Sequence, residues 1–158
     1  MSSGAAAATE GRGLPANLEA EKSVLGAILL HGEVMSSVAS ILAPPDYFRV
    51  VHKLIFERMI ALDARGDPID FVALCEELSR AGELDEVGGP AYISALVDGM
   101  PRSTNVEYYA RIVAEKARLR GSIVVANKLL AAAYDAEEPS ETLIDASVRA
   151  LIGLTTTS

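Results

Sequence analysis

One stretch limits what this chain can fold into more than any other: residues 105–154, which read as a long helix, a turn and a second helix. Up to Arg118 the first helix is conventional, with Tyr109, Ile112 and Val113 set among Glu107, Arg111, Glu115 and Lys116. From Leu119 the pattern changes. Leu119, Ile123, Ala126, Leu130 and Ala133 recur at i, i+4, i+7, i+11 and i+14, a heptad-like seam on one face. Val124, Val125 and Leu129 lie off that seam, and only Asn127 and Lys128 are strongly polar between Ile123 and Ala133. A helix that is apolar nearly all round needs more than one cover. The first cover is in the chain. Asp135-Ala136-Glu137-Glu138-Pro139-Ser140 reads as a turn with Ser140 as N-cap, and Leu143, Ile144, Ser147, Val148, Leu151 and Leu154 form one stripe on the returning helix. The hairpin seam is therefore expected to comprise Leu119, Ile123, Ala126, Leu130, Leu143, Ile144 and Leu151. Val124, Val125 and Leu129 are left over and are expected to form a dimer interface. The competing reading packs the hairpin on the rest of its own domain.

Upstream of this stretch the chain divides into short amphipathic helices separated by Gly and Pro. Met1 to Gly13 is Ser, Gly and Ala with little else, a disordered tail in this reading. Asn17 is a good N-cap, and Glu19 and Glu21 supply first-turn acids for a helix with Leu18, Val24, Leu25, Ile28 and Leu29 on one face. His31-Gly32 ends it, with Gly32 as a left-handed C-cap. A short helix over about Glu33 to Leu42 is broken by Ala43-Pro44-Pro45-Asp46. Phe48, Val51, Ile55, Met59 and Leu62 predict the core stripe of a third helix. Asp70 caps a fourth, with Phe71, Leu74, Cys75 and Leu78 inward, and Gly82 stops it. Leu84 and Val87 tuck under from a loop. Pro90 opens a fifth helix bearing Tyr92, Ile93, Leu96 and Val97, closed by Gly99-Met100-Pro101. Thr104-Asn105 starts the long helix, in which Gly121 predicts a kink or break. Nothing alternates with period two for long, so no sheet is expected. The fold expected is all-α: a head of five to six helices over about 14–118, a hairpin over 119–154, and the start of a linker at 155–158.

The chain holds 158 residues, half of them apolar, with net charge −8. That charge argues against a broad phosphate-binding face, because each phosphate contact wants a Lys or Arg. The single Cys75 excludes an internal disulfide and fits a reducing, cytoplasmic setting. No apolar run has the length of a membrane span, and the start lacks the features of a signal peptide. No Gly-Lys dipeptide occurs, which excludes a P-loop. Gly88-Gly89 opens a helix, but Pro90 removes a donor and Glu83, Asp85 and Glu86 repel an anion, so a structural turn is the better reading. His31 and His52 are too few for a zinc site. His52, at the edge of an apolar stripe, reads as a satisfied structural histidine. Carboxylates such as Glu76-Glu77 read as a solvated helix face. Of the adjacent Tyr108 and Tyr109, at most one can join the core. No catalytic, cofactor-binding or metal-ligating set emerges.

The order of motifs carries more information. The chain runs LPANLEAEKSVLGAILL, then PPDYFRVVHKLIFERMIAL, GDPIDFVALCEEL, GELDEVGGPAYISAL and MPRSTNVEYYARIVAEKARLR. In that order and spacing it resembles the N-terminal domain of the bacterial replicative DNA helicases, the DnaB family, over about Leu14 to Leu154. The resemblance implies a helical head with a hairpin. It also implies pairing of hairpins between subunits and a collar, a trimer of dimers, over a hexameric ring of ATPase domains. Those domains, beyond the end of this chain, carry ATP, Mg²⁺ and the DNA contacts. The collar binds the C-terminal domain of primase, which couples unwinding to priming; a helicase loader is a further partner. The primase contact is placed near Tyr92 and the Glu83 to Gly89 loop. A stand-alone adaptor that keeps only dimerisation and partner binding is the alternative role.

Overall fold

The structure, a computed structural model, describes residues 13–98, 100 and 105–156. The expected tail up to residue 12, the Gly99 and Pro101 helix stop, the Thr104 helix start and the last two residues of the expected linker lie outside that range. Among the described residues there are seven α-helices and no strand. They are α1 (Leu18–Leu30), α2 (Met35–Ala39), α3 (Val50–Ala64), α4 (Phe71–Arg80), α5 (Gly89–Val97), α6 (Val106–Asp135) and α7 (Ser140–Thr156), with 3-10 turns at Gly32–Val34 and Pro44–Asp46. The chain forms two compact units. One is Asn17–Ala117; the other combines residues 118–156 with 13–16.

In the first unit α1 packs on α3 and α5, and α4 packs on α3 and α5, so four helices close a ring of contacts. Its core is aliphatic, as a chain with so few aromatics requires: Val24, Leu25 and Ile28 from α1, Ile55, Met59 and Leu62 from α3, Leu74 and Leu78 from α4, Ile93 and Leu96 from α5. Val106, Ala110 and Val113 from the start of α6 join it. Each fully buried aliphatic side chain of this kind contributes about 1.5–3 kcal/mol. The caps follow the sequence closely. Asn17 Oδ1 accepts from Ala20 N at 3.0 Å, Asp70 Oδ1 from Ala73 N at 2.8 Å, and Asn105 Oδ1 from Tyr108 N at 3.1 Å.

Several expectations are corrected. Gly32 is not a left-handed cap; His31 ends α1 and Gly32 opens a 3-10 turn. The helix expected over Glu33 to Leu42 is α-helical only at Met35–Ala39. Phe48 is 39 % exposed, and Tyr47 fills the core in its place, its ring 5.0 Å from that of Phe56. The cause is the Pro44–Asp46 turn, which holds Tyr47 and Arg49 in extended backbone and delays α3 to Val50. Phe71, the first residue of α4, is exposed rather than inward. Cys75 is half-buried, and desolvation raises its thiol pKa.

Glu77 is not on a solvated face either. It is buried, and Arg65 donates to both its oxygens, at 2.6 and 3.3 Å. Arg58 and Arg80 each lie 3.9 Å away. The hydrogen bonds from Arg65 lead the effects that hold the Glu77 carboxyl below its ordinary value. A depressed carboxylate stabilises the fold above its unfolded pKa, and that contribution is lost as pH falls through the folded value. Glu77→Gln should therefore unfold at lower temperature than the native chain at pH 7, and the gap should narrow as the solution is acidified towards pH 3. Thermal melts by circular dichroism across that range measure it; a gap independent of pH would contradict the pairing.

Candidate interaction surfaces

In the second unit α6 is continuous through Gly121, without the kink its propensity predicts. The reason is packing: a Cβ at Gly121 would lie 2.6 Å from Leu154 Cδ2 of α7. Glycine is there to let the returning helix approach, and the helix tolerates its local cost of about 0.5–1 kcal/mol. That approach decides which face of α6 is covered. Gly121, Val125, Leu129 and Ala132 are half-buried and fall on one helical stripe, with Ser122 and Ile123 beside it. On α7 the half-buried residues are Leu143, Ser147 and Leu154.

The seam therefore sits about a third of a turn from where the heptad count placed it. Of the expected seam, Ile123 and Leu143 are half-buried, whereas Leu130 is 46 % and Ile144 57 % exposed, and Leu119, Ala126 and Leu151 are exposed too. Of the residues expected at a dimer interface, Val124 is 52 % exposed while Val125 and Leu129 are partly covered within the chain. What α7 leaves open is a stripe of Ile144, Val148, Leu151 and Ile152, all exposed. Ser140 is the first helical residue of α7, not its N-cap; Leu143 N donates to Pro139 O at 3.2 Å. Thr155 and Thr156, expected in a linker, still belong to α7. The segment before α1 is tied to this unit by Arg120, whose Nη1 donates to Pro15 O at 2.7 Å.

Tyr92 belongs to the first unit, in a polar chain that crosses three helices. Glu21 of α1 is fully buried. Its Oε2 accepts from Phe48 N at 2.8 Å and its Oε1 from Arg49 N at 3.5 Å, so a residue of α1 satisfies the orphan amides that open α3. His52 Nδ1 lies 2.7 Å from Glu21 Oε1, and His52 Nε2 lies 2.7 Å from Tyr92 Oη. Arg49 Nη1 donates to the same hydroxyl at 3.2 Å, with its guanidinium carbon 5.7 Å from the centre of the Tyr92 ring. The tautomer that satisfies every atom has His52 Nδ1–H donating to Glu21 and the Tyr92 hydroxyl donating to Nε2. His52 is thus a structural, hydrogen-bonded histidine. Gly88 completes the arrangement: its φ of 105° is left-handed, and a Cβ there would lie 2.9 Å from Tyr92 Cβ. Gly88-Gly89 is a structural turn, with Gly89 also at positive φ.

Composition offered no signal for this chain, because Glu21 looks like any first-turn acid. The Tyr92 ring is half-buried and its hydroxyl is committed internally, so Tyr92→Phe should lower stability by about 1–2 kcal/mol, leaving a buried ring nitrogen without a donor. A denaturant midpoint unchanged from the native chain would contradict that. The Tyr47 hydroxyl is buried and has no hydrogen-bond partner among the described residues; burial, then Glu21 and Asp46, push its pKa well up. Tyr108 is exposed and Tyr109 half-buried, their rings edge to face at 5.5 Å. Among the described residues, no group of three or more metal-binding side chains comes together and no helix is long and apolar enough to cross a membrane.

Against known proteins, residues 13–115 match the family described as the DnaB-like helicase N terminal domain. The replicative DNA helicase DnaB of Geobacillus stearothermophilus is 39 % identical over 138 residues, covering 87 % of this chain and 30 % of that protein. The replicative DNA helicase DnaC of Bacillus subtilis is 36 % identical over the same shares of each. The chain thus spans under a third of the length of these relatives. Among solved structures, the N-terminal domain of DnaB helicase from Mycobacterium tuberculosis superposes with a TM-score of 0.83 at 32 % identity, covering 89 % of this chain and 99 % of that one. A DnaB-like replicative helicase, described with its interactions with primase, superposes with a TM-score of 0.70 at 25 % identity, covering 87 % of this chain and 31 % of that one. With the family model matching residues 13–115 and relatives of 36–39 % identity covering 87 % of the chain, this protein belongs to the DnaB-like helicase N-terminal domain family.

Proposed function

We propose that the chain is the assembly and partner-binding domain of a replicative DNA helicase, with the hairpin of about residues 119–154 carrying self-association. The observation that carries this reading is the exposed apolar stripe Ile144, Val148, Leu151 and Ile152 on α7, which a single chain leaves in water. A second copy across a two-fold axis would cover it, because such a contact is self-complementary. Leu119, Val124 and Leu130, exposed on α6, extend the apolar surface available to that contact. Val125 and Leu129, partly covered already, serve chiefly the hairpin itself. In this reading dimers combine further into a hexameric collar. ATP and Mg²⁺ act in a different domain of the whole helicase, which also makes the DNA contacts, in the replisome of the cytoplasm. This chain, lacking a P-loop, binds its partners and not nucleotide.

Sedimentation equilibrium tests the interface. Ile144→Glu with Ile152→Glu should weaken self-association at least ten-fold, since each apolar side chain removed from an interface forfeits about 1.5–3 kcal/mol. Helical content should not change. Association as tight as in the native chain would overturn the reading.

Primase is the partner proposed for the first unit, a reading supported by the related helicase described with primase. The contact proposed uses the exposed edge of the Tyr92 ring and the loop before it; a helicase loader is a further partner. Tyr92→Phe keeps the ring and should keep primase binding, whereas Tyr92→Ala should lose it.

A further inference from the structure

We draw no further inference here: the strongest candidate, the side-chain cluster in which the Arg49 guanidinium lies over the Tyr92 ring where α3 begins, belongs to the polar chain already described, and nothing in the structure shows what covers it.

Discussion

Gly26→Ala should be the most damaging single-methyl change in the chain, costing about 3 kcal/mol or more and lowering the melting temperature by roughly 10 °C or more. At the crossing of α1 and α5, a Cβ at residue 26 would land on the backbone carbonyl oxygen of Leu96, with Met100 Cγ at 3.2 Å. A carbonyl held in a helix cannot rotate away as a side chain can, so the two helices must part and open the ring of contacts that encloses the core. Two other glycines calibrate the claim. At Gly121 the added methyl meets only the tip of Leu154, which can shift, and the helix-propensity gain offsets part of the cost. Gly121→Ala should therefore cost about 1 kcal/mol or less. At Gly153 a Cβ meets nothing within 4 Å, so Gly153→Ala should be neutral or stabilise α7 by about 0.5–1 kcal/mol. Calorimetry on the three variants gives the order directly. Equal effects at Gly26 and Gly153 would show that close approach of α5 to α1 is not what selects glycine at 26.

The second large effect is expected at Glu21. Glu21→Ala removes the acceptor that Phe48 N–H, Arg49 N–H and His52 Nδ1–H share, the first two half-buried and the last fully buried. Each unsatisfied buried donor costs about 1–3 kcal/mol, and the lost side chain leaves a void besides. A loss of at least about 3 kcal/mol follows, a large part of the 5–15 kcal/mol that typically holds a domain together. Glu21→Gln keeps one acceptor oxygen and should fall between the alanine variant and the native chain. Glu19, two residues earlier, is the control. Its side chain is 86 % exposed and 3.4 Å from Lys22, a surface pair that contributes little, so Glu19→Ala should change stability by less than about 0.5 kcal/mol. Urea denaturation of the three variants decides; a Glu21→Ala chain as stable as Glu19→Ala would mean the buried chain from Glu21 to Tyr92 stabilises nothing.

Glu19 and Glu21 also show where local pattern stops being informative. Both are acids in the first turn of α1, and nothing within a few residues tells them apart. Glu21 becomes a buried acceptor only because the segment that leads into α3 lies opposite it, with Phe48 27 residues later. Glu76 and Glu77 repeat the case: periodicity groups them, and Arg65 separates them. Phe48 and Tyr47 differ by one position, and the Pro44–Asp46 turn decided which ring entered the core. In each case the deciding partner lies on another element, beyond the reach of a helical repeat.

The hairpin makes the same point at the surface where function is expected. An apolar α6 and a returning α7 were legible from spacing, as were the caps at Asn17 and Asp70 and the order of motifs that marks the family. These depend on backbone geometry within about one turn of helix, which residue types encode directly. Which stripe of α6 faces α7 was not legible. Counting heptads from Leu119 took the regular i, i+4, i+7 spacing as the seam, whereas the smallest residue, Gly121, sets it by admitting Leu154. A local repeat specifies that a helix has apolar faces; only the closest approach of two backbones, a property of the folded chain, decides which of them is covered and which is left for a partner.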